Sequence, residues 1–157
     1  MGYGSPVVTD EGRAQMAKSY TATRIIRADP ETVFGLLTDA ASYPTWNPAV
    51  LSLDGTLAAG EKIRLVSVVN PKRTFTLTVT EVDAPRRMVW ADGMPLGLFK
   101  GVRTYTVQPL GEGRTEFTMA EVFSGPLAPL ITKAIPDMTE SIEMFAEGLK
   151  TAAEGRA

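Results

Sequence analysis

The chain contains no cysteine and no histidine among its 157 residues. Without cysteine there is no disulfide, no thiolate nucleophile and no sulfur-ligated metal. Without histidine there is no Ser-His-Asp triad, no imidazole base poised near neutral pH and no His-ligated zinc. Proton transfer would fall to a carboxylate, Lys, Tyr or water with a pKa moved by burial. Inward-facing clusters of Asp and Glu are also missing, so neither a metal nor a cofactor is expected. Charge of one sign is not in excess: 16 Lys and Arg stand against 18 Asp and Glu, a formal net charge of -2. Nothing electrostatic therefore points to nucleic acid or to an anionic membrane as partner. No apolar run approaches the ~20 residues needed to span a bilayer, so membrane insertion is not expected. The stretch from Met1 to Ser19 lacks a basic region leading into an apolar one, and does not read as a signal peptide. The expectation is a soluble, cytoplasmic protein; its oligomeric state is not encoded in any feature of the sequence.

What is present suits one folded unit. The apolar fraction is 44% and the charged fraction 22%, enough for a substantial core and far from a disordered composition. Residues 1–18 read as an N-terminal arm, in which a short helix starting near Thr9 is the alternative, and residues 19–157 as a single domain. Tyr20 to Arg27 is rich in β-branched residues and reads as a first strand. Asp29-Pro30-Glu31 starts a helix, with Asp29 as cap and Pro30 at the first helical position; Val33, Phe34 and Leu37 form its apolar stripe, and Thr38-Asp39 ends it or caps a second short helix. Tyr43-Pro44-Thr45-Trp46-Asn47-Pro48 is expected to be non-helical, because each proline restricts the residue before it.

Six strand signals follow, over Val50 to Leu53, Glu61 to Val69, Arg73 to Val82, Arg86 to Ala91, Leu98 to Gln108 and Arg114 to Phe123. Their connections are mostly of hairpin length, so neighbouring strands should be antiparallel. From Gly125-Pro126 to about Ala153, apolar residues recur at spacings of three and four, including Leu130, Ile131, Met138, Ile142, Phe145 and Leu149. That is one buried helical stripe. Pro136 should kink or break it, and Asp137 with Glu140 resembles a capping box that restarts it.

Alternation selects the inner face of each strand. In the last strand this is Thr115, Phe117, Met119, Glu121 and Phe123; in the one before, Phe99, Gly101, Arg103, Tyr105 and Val107. A hairpin closed by Leu110 to Gly113 with Pro109 opposite Thr115 places Tyr105 opposite Met119 and Arg103 opposite Glu121. One Arg and one Glu then share an apolar interior face. Either they pair with each other, as buried charges generally must, or Arg103 with Tyr105 holds a ligand's carbonyl, carboxylate or phenolate. Trp46, Phe75, Trp90, Met138 and Ile142 are further candidates to line a cavity, with core packing the competing role for each. The apolar loop from Asp92 to Phe99 is either a lid over a cavity mouth or a long turn covering the open end of the core. Gly111-Glu112-Gly113 is a turn and not a phosphate loop, since no helix follows it. Glu140, Glu143 and Glu147 should be solvated on the polar face of the last helix.

The order of elements, together with Ile26-Arg27-Ala28-Asp29-Pro30-Glu31-Thr32-Val33-Phe34, Leu37-Thr38-Asp39, Tyr43-Pro44-Thr45-Trp46 and the late run Arg114 to Gly125, resembles the START/Bet v 1-like helix-grip superfamily (SRPBCC), in its polyketide cyclase/dehydrase branch. The resemblance spans about residues 19 to 153. It implies an α+β helix-grip fold: a curved antiparallel β-sheet wrapped around a long C-terminal α-helix, two short helices after strand 1, and an apolar cavity between sheet and helix. It further implies a small hydrophobic ligand, such as a lipid, a quinone or a polyketide-like aromatic. The ligand-facing set would be Trp46, Phe75, Trp90, Phe99, Arg103, Tyr105, Phe117, Met119, Glu121, Met138 and Ile142. A cyclase or dehydratase-type enzyme, with Arg103, Glu121 and Tyr105 as catalytic candidates, and a co-chaperone-like interaction module are the competing functions.

Overall fold

A computed structural model describes residues 16–156. Its elements are β1 (Met16–Ile26), α1 (Pro30–Leu37), a 3-10 turn (Ala40–Ser42), α2 (Tyr43–Trp46), β2 (Val50–Asp54), β3 (Lys62–Ser67), β4 (Phe75–Asp83), β5 (Arg87–Gly93), a 3-10 turn (Pro95–Gly97), β6 (Lys100–Gly111), β7 (Arg114–Ser124), α3 (Ala128–Ile131), a 3-10 turn (Thr132–Ala134) and α4 (Thr139–Arg156). The strands form one seven-stranded sheet in the order β1-β7-β6-β5-β4-β3-β2, and every neighbouring pair is antiparallel. Strands β2 to β7 follow one another as a meander. The chain from α1 to α2 carries it from β1 at one edge to β2 at the other. Bulges in β2 and β4 add local twist and help the sheet curl. The helix-grip α+β architecture expected from the sequence is the one found.

Helix α4 lies in the concave face. Ile142, Phe145, Ala146, Leu149 and Ala153 on it are buried, at the spacing of one helical stripe. Gly148 lets the helix sit close against the α2–β2 connection: a Cβ there would meet the Trp46 carbonyl oxygen at 2.5 Å. The far side of α4 is tied to β1 by charge. Arg24 bonds Glu143 at 2.7 Å and Glu147 at 2.9 Å, so these two glutamates, expected to be solvated, are half-exposed but paired. Arg24 is held above its ordinary pKa, first by its bond to Glu147 and against the cost of its partial burial.

Several local expectations are corrected. The expected arm lies outside the described residues as far as residue 15, as does the alternative helix near Thr9; from Met16 onward the chain is already strand. Tyr43 to Trp46 is a helical turn with Pro44 in its first turn, where the missing N–H was never needed. The constraint on Tyr43 is offset by its complete burial and by its hydroxyl, which donates to the Leu37 carbonyl at 2.6 Å. Asn47 before Pro48 is extended, as expected. Asp29 precedes α1 but its side chain makes no capping bond; its backbone carbonyl accepts from Val33 instead.

The long C-terminal helix is divided. Pro136 falls in the break between the Thr132–Ala134 turn and α4, because it can neither donate an N–H nor accommodate the preceding turn. Asp137 supplies half of a capping box: its Oδ1 accepts from the Thr139 N–H at 2.9 Å, which holds its carboxyl below the usual range. Leu130 leaves the buried stripe and is 68% exposed, since the four-residue α3 has only one side to bury.

Candidate ligand cavity between the sheet and the C-terminal helix

The register of the β6–β7 hairpin places Pro109 opposite Thr115, Tyr105 opposite Met119 and Arg103 opposite Glu121, as the alternation predicts. Adjoining strand β5 extends these pairs into cross-strand rows. Met88, Tyr105 and Met119 form a row that is wholly buried. The next row is Trp90, Arg103 and Glu121, and the one after it Asp92, Gly101 and Phe123. Between the first row and the second, the interior changes from filled to hollow. A cavity of about 220 Å³ opens there, lined by the second and third rows, by Phe75, Leu65 and Leu77 from the neighbouring strands, by Phe99, and by Ile135 and Met138 from the chain around the helix break. That volume lies below the ~300–1,000 Å³ of sites for drug-sized ligands, so it suits a small molecule.

Of the residues singled out by the sequence, Phe75, Trp90, Phe99, Arg103, Glu121 and Met138 are brought together around this cavity. Tyr105, Phe117, Met119 and Ile142 are not among its lining residues; they are buried in the core that α4 forms with the sheet. Trp46 is also displaced from it. Its ring packs on Tyr43 at 4.8 Å and on Phe145 at 5.9 Å, and its indole N–H donates to Ser42 Oγ. Phe123, Leu65, Ile135 and Asp92 line the cavity without having been selected. Phe123 and Asp92 share strand parity with Glu121 and Trp90, which was the available signal; Ile135 gave none, because its position depends on where Pro136 breaks the helix.

Arg103 and Glu121 pair. Nε donates to Oε2 at 3.0 Å and Nη2 to Oε1 at 3.1 Å, with the side chains only 10% and 12% exposed. Both carboxylate oxygens and one edge of the guanidinium are thereby committed, and Nη1 has no protein partner among the described residues. Burial disfavours the Arg103 charge, but the Glu121 carboxylate and Tyr105 outweigh it and raise the pKa further above its ordinary value. Removing either partner alone would strand a charge at a cost of about 3–5 kcal/mol. Burial pushes the Tyr105 hydroxyl well above its usual pKa, against the pull of the Arg103 charge. The Tyr105 hydroxyl and the Trp90 indole N–H are buried without a hydrogen-bond partner among the described residues, and each such group costs roughly 1–3 kcal/mol.

The mouth is framed by the β5–β6 loop and the chain entering α3. Gly125, at φ 103°, brings that chain against the loop, where a Cβ would meet the Leu98 carbonyl at 2.7 Å; the Leu127 N–H bonds the same carbonyl at 2.9 Å. Phe99 turns inward and stacks on Phe123, with ring centroids 5.7 Å apart. Met94, Leu96 and Leu98 stay exposed, so the loop does not cover the core with its apolar side chains. Arg73 lies over the Phe75 ring at 4.6 Å and, like Asp92, is exposed at the rim.

The model of the family described as polyketide cyclase / dehydrase and lipid transport matches residues 17–154. The chain belongs to this family. No curated protein sequence matches it, but solved structures do. A START superfamily protein from Mycobacterium smegmatis is 19% identical with a TM-score of 0.65, covering 88% of this chain and 99% of its own. The Zhui aromatase/cyclase from Streptomyces sp. R1128 is 16% identical with a TM-score of 0.67, covering 88% and 94%. Norcoclaurine synthase from Thalictrum flavum is 14% identical with a TM-score of 0.67, covering 89% and 96%. At these identities the likeness is one of fold. Among the described residues, no group of acidic side chains could hold a metal ion and no helix is long and apolar enough to cross a membrane.

Proposed function

We propose that this member of the family binds a small hydrophobic molecule, lipid-, quinone- or polyketide-like, in the cavity between the sheet and the α3–α4 break. The observation that carries this reading is the hollow itself: an apolar space of about 220 Å³ that begins where a fully packed row of side chains ends, with one polar feature at its inner wall. Apolar walls supply binding through removal of ligand surface from water, and the polar feature orients the ligand. Arg103, with its free Nη1, is the anchor for the ligand's polar end; Trp90, Phe75, Phe99 and Phe123 are its walls. The cysteine-free composition suits a cytoplasmic location, which belongs to the same proposal.

A second reading, a cyclase or dehydratase-type enzyme, is favoured by the family's description and by a likeness in fold to an aromatase/cyclase. The geometry ranks it second. Both oxygens of Glu121 already accept from Arg103, and Tyr105 is held protonated and does not line the cavity, so neither is set to take a proton from a ligand. A thermal-shift screen against fatty acids, quinones, phenols and aromatic polyketides tests the binding reading. A ligand at about 100 times its dissociation constant adds about 2.7 kcal/mol, a rise of several degrees for a domain of this size. A shift from one chemical class, reduced in Phe99→Ala, supports the proposal; no shift from any class contradicts it. Turnover of a stabilising compound would move the enzyme reading to first place.

A further inference from the structure

Resting on the binding proposal, we infer that Glu121 is a specificity-determining residue: by neutralising Arg103 it makes the cavity accept an uncharged carbonyl compound and reject a carboxylate of the same shape. The charges facing the cavity are Arg73, Asp92, Arg103 and Glu121, two of each sign. Arg73 and Asp92 are exposed at the rim, where salt screens them. Deep in the cavity only the Arg103–Glu121 pair remains, nearly buried and joined by two parallel hydrogen bonds. A carboxylate brought to Nη1 would meet a cation whose charge is already balanced, and would itself approach the Glu121 carboxylate without water between to screen it. A neutral carbonyl oxygen meets no such repulsion. It gains the Nη1 donor, which makes no hydrogen bond to a protein group among the described residues. This inner wall is thus electrically neutral and offers an edge of the guanidinium as donor, which selects ligands that present an uncharged acceptor.

The test compares 2-acetylnaphthalene with 2-naphthoate, which share a ring system and differ in charge, by calorimetry at pH 7.5 and about 0.15 M salt. The wild type should bind the ketone at least ~10-fold more tightly than the carboxylate, the scale of a single charge-assisted hydrogen bond. Glu121→Gln, which keeps the shape and removes the negative charge, should reverse the order in favour of the carboxylate. A wild type that binds both equally, or a Glu121→Gln protein that still prefers the ketone, overturns the inference while leaving the binding proposal intact. If wild type binds neither compound and no class in the thermal-shift screen binds either, the binding proposal fails and the inference falls with it. Should Glu121→Gln not fold, the double variant Arg103→Met with Glu121→Leu removes both charges at once. It should weaken the ketone ~10-fold and still refuse the carboxylate; unchanged ketone binding would show that Arg103 is not the anchor and overturn the inference.

Discussion

The two ends of the grip are built from the same kinds of side chain and end in opposite states. At the filled end, Tyr43, Tyr105, Phe117 and Phe145 are almost wholly buried and pack ring on ring, Tyr105 lying 5.4 Å from Phe145 and 4.9 Å from Trp90. At the hollow end, Phe75 and Phe99 are only partly buried and surround about 220 Å³ of space. The strands continue unbroken from one end to the other. What changes is the helix: α4 covers the filled end with a continuous stripe, and the chain before Thr139 is broken at Pro136. Aromatic content alone therefore does not distinguish core from cavity; the hollow coincides with the break in the covering helix.

Truncating a ring at each end puts the greatest strain on this contrast. Phe145→Ala should cost about 3–5 kcal/mol in denaturant unfolding, the usual loss for a fully enclosed phenylalanine. Phe99→Ala should cost only about 1–2 kcal/mol because the ring is partly exposed already, while weakening ligand binding. Equal destabilisation at the two ends would mean that the cavity closes up in solution.

The boundary row comes next in size. Glu121→Ala should destabilise by about 3–5 kcal/mol, because it leaves Arg103 buried and uncompensated. The double variant Arg103→Met with Glu121→Leu should lie near the wild type or above it, since well-packed apolar replacements avoid the desolvation cost altogether. A double variant as unstable as the single one would show that the pair holds the strands together in its own right.

Two buried tyrosines carry the contrast to a smaller scale. Tyr43→Phe should cost about 1–3 kcal/mol, because its hydroxyl satisfies the Leu37 carbonyl in the interior. Tyr105→Phe should leave stability unchanged or raise it by about 1–3 kcal/mol, because it removes a buried hydroxyl that has no hydrogen-bond partner among the described residues. Both phenols have pKa values raised by burial. Above about pH 10 the unfolded chain releases these protons and the folded chain keeps them, so stability should fall as pH rises through that range. The loss should be smaller in Tyr105→Phe, where one of the two groups is gone; an identical pH profile in that variant would show that Tyr105 ionises normally in the folded state.

Period-2 alternation and the short Leu110–Gly113 turn made the inner faces of β6 and β7 legible, and with them the Arg103–Glu121 pair. The stripe from Ile142 to Leu149 likewise made the grip visible. Where the hollow begins was not legible. Met119 and Phe123 have the same parity and similar chemistry, yet only Phe123 lines the cavity. The difference between them is set by the path of the chain around Pro136, which no pattern within β7 records. Trp46, a candidate for its large ring alone, takes the competing role of core packing, because the α2 turn aims it at Phe145.

The most direct measurement fills the hollow without touching the Arg103–Glu121 pair. Leu77 lines the cavity from β4, and Leu77→Trp should occupy much of its space. The melting temperature of wild type and Leu77→Trp would be compared with and without 2-acetylnaphthalene. A cavity that binds this compound gives a ligand-dependent rise in the wild type and none in a folded Leu77→Trp protein. An equal rise in both would place the compound elsewhere and contradict the assignment of the cavity as the binding site.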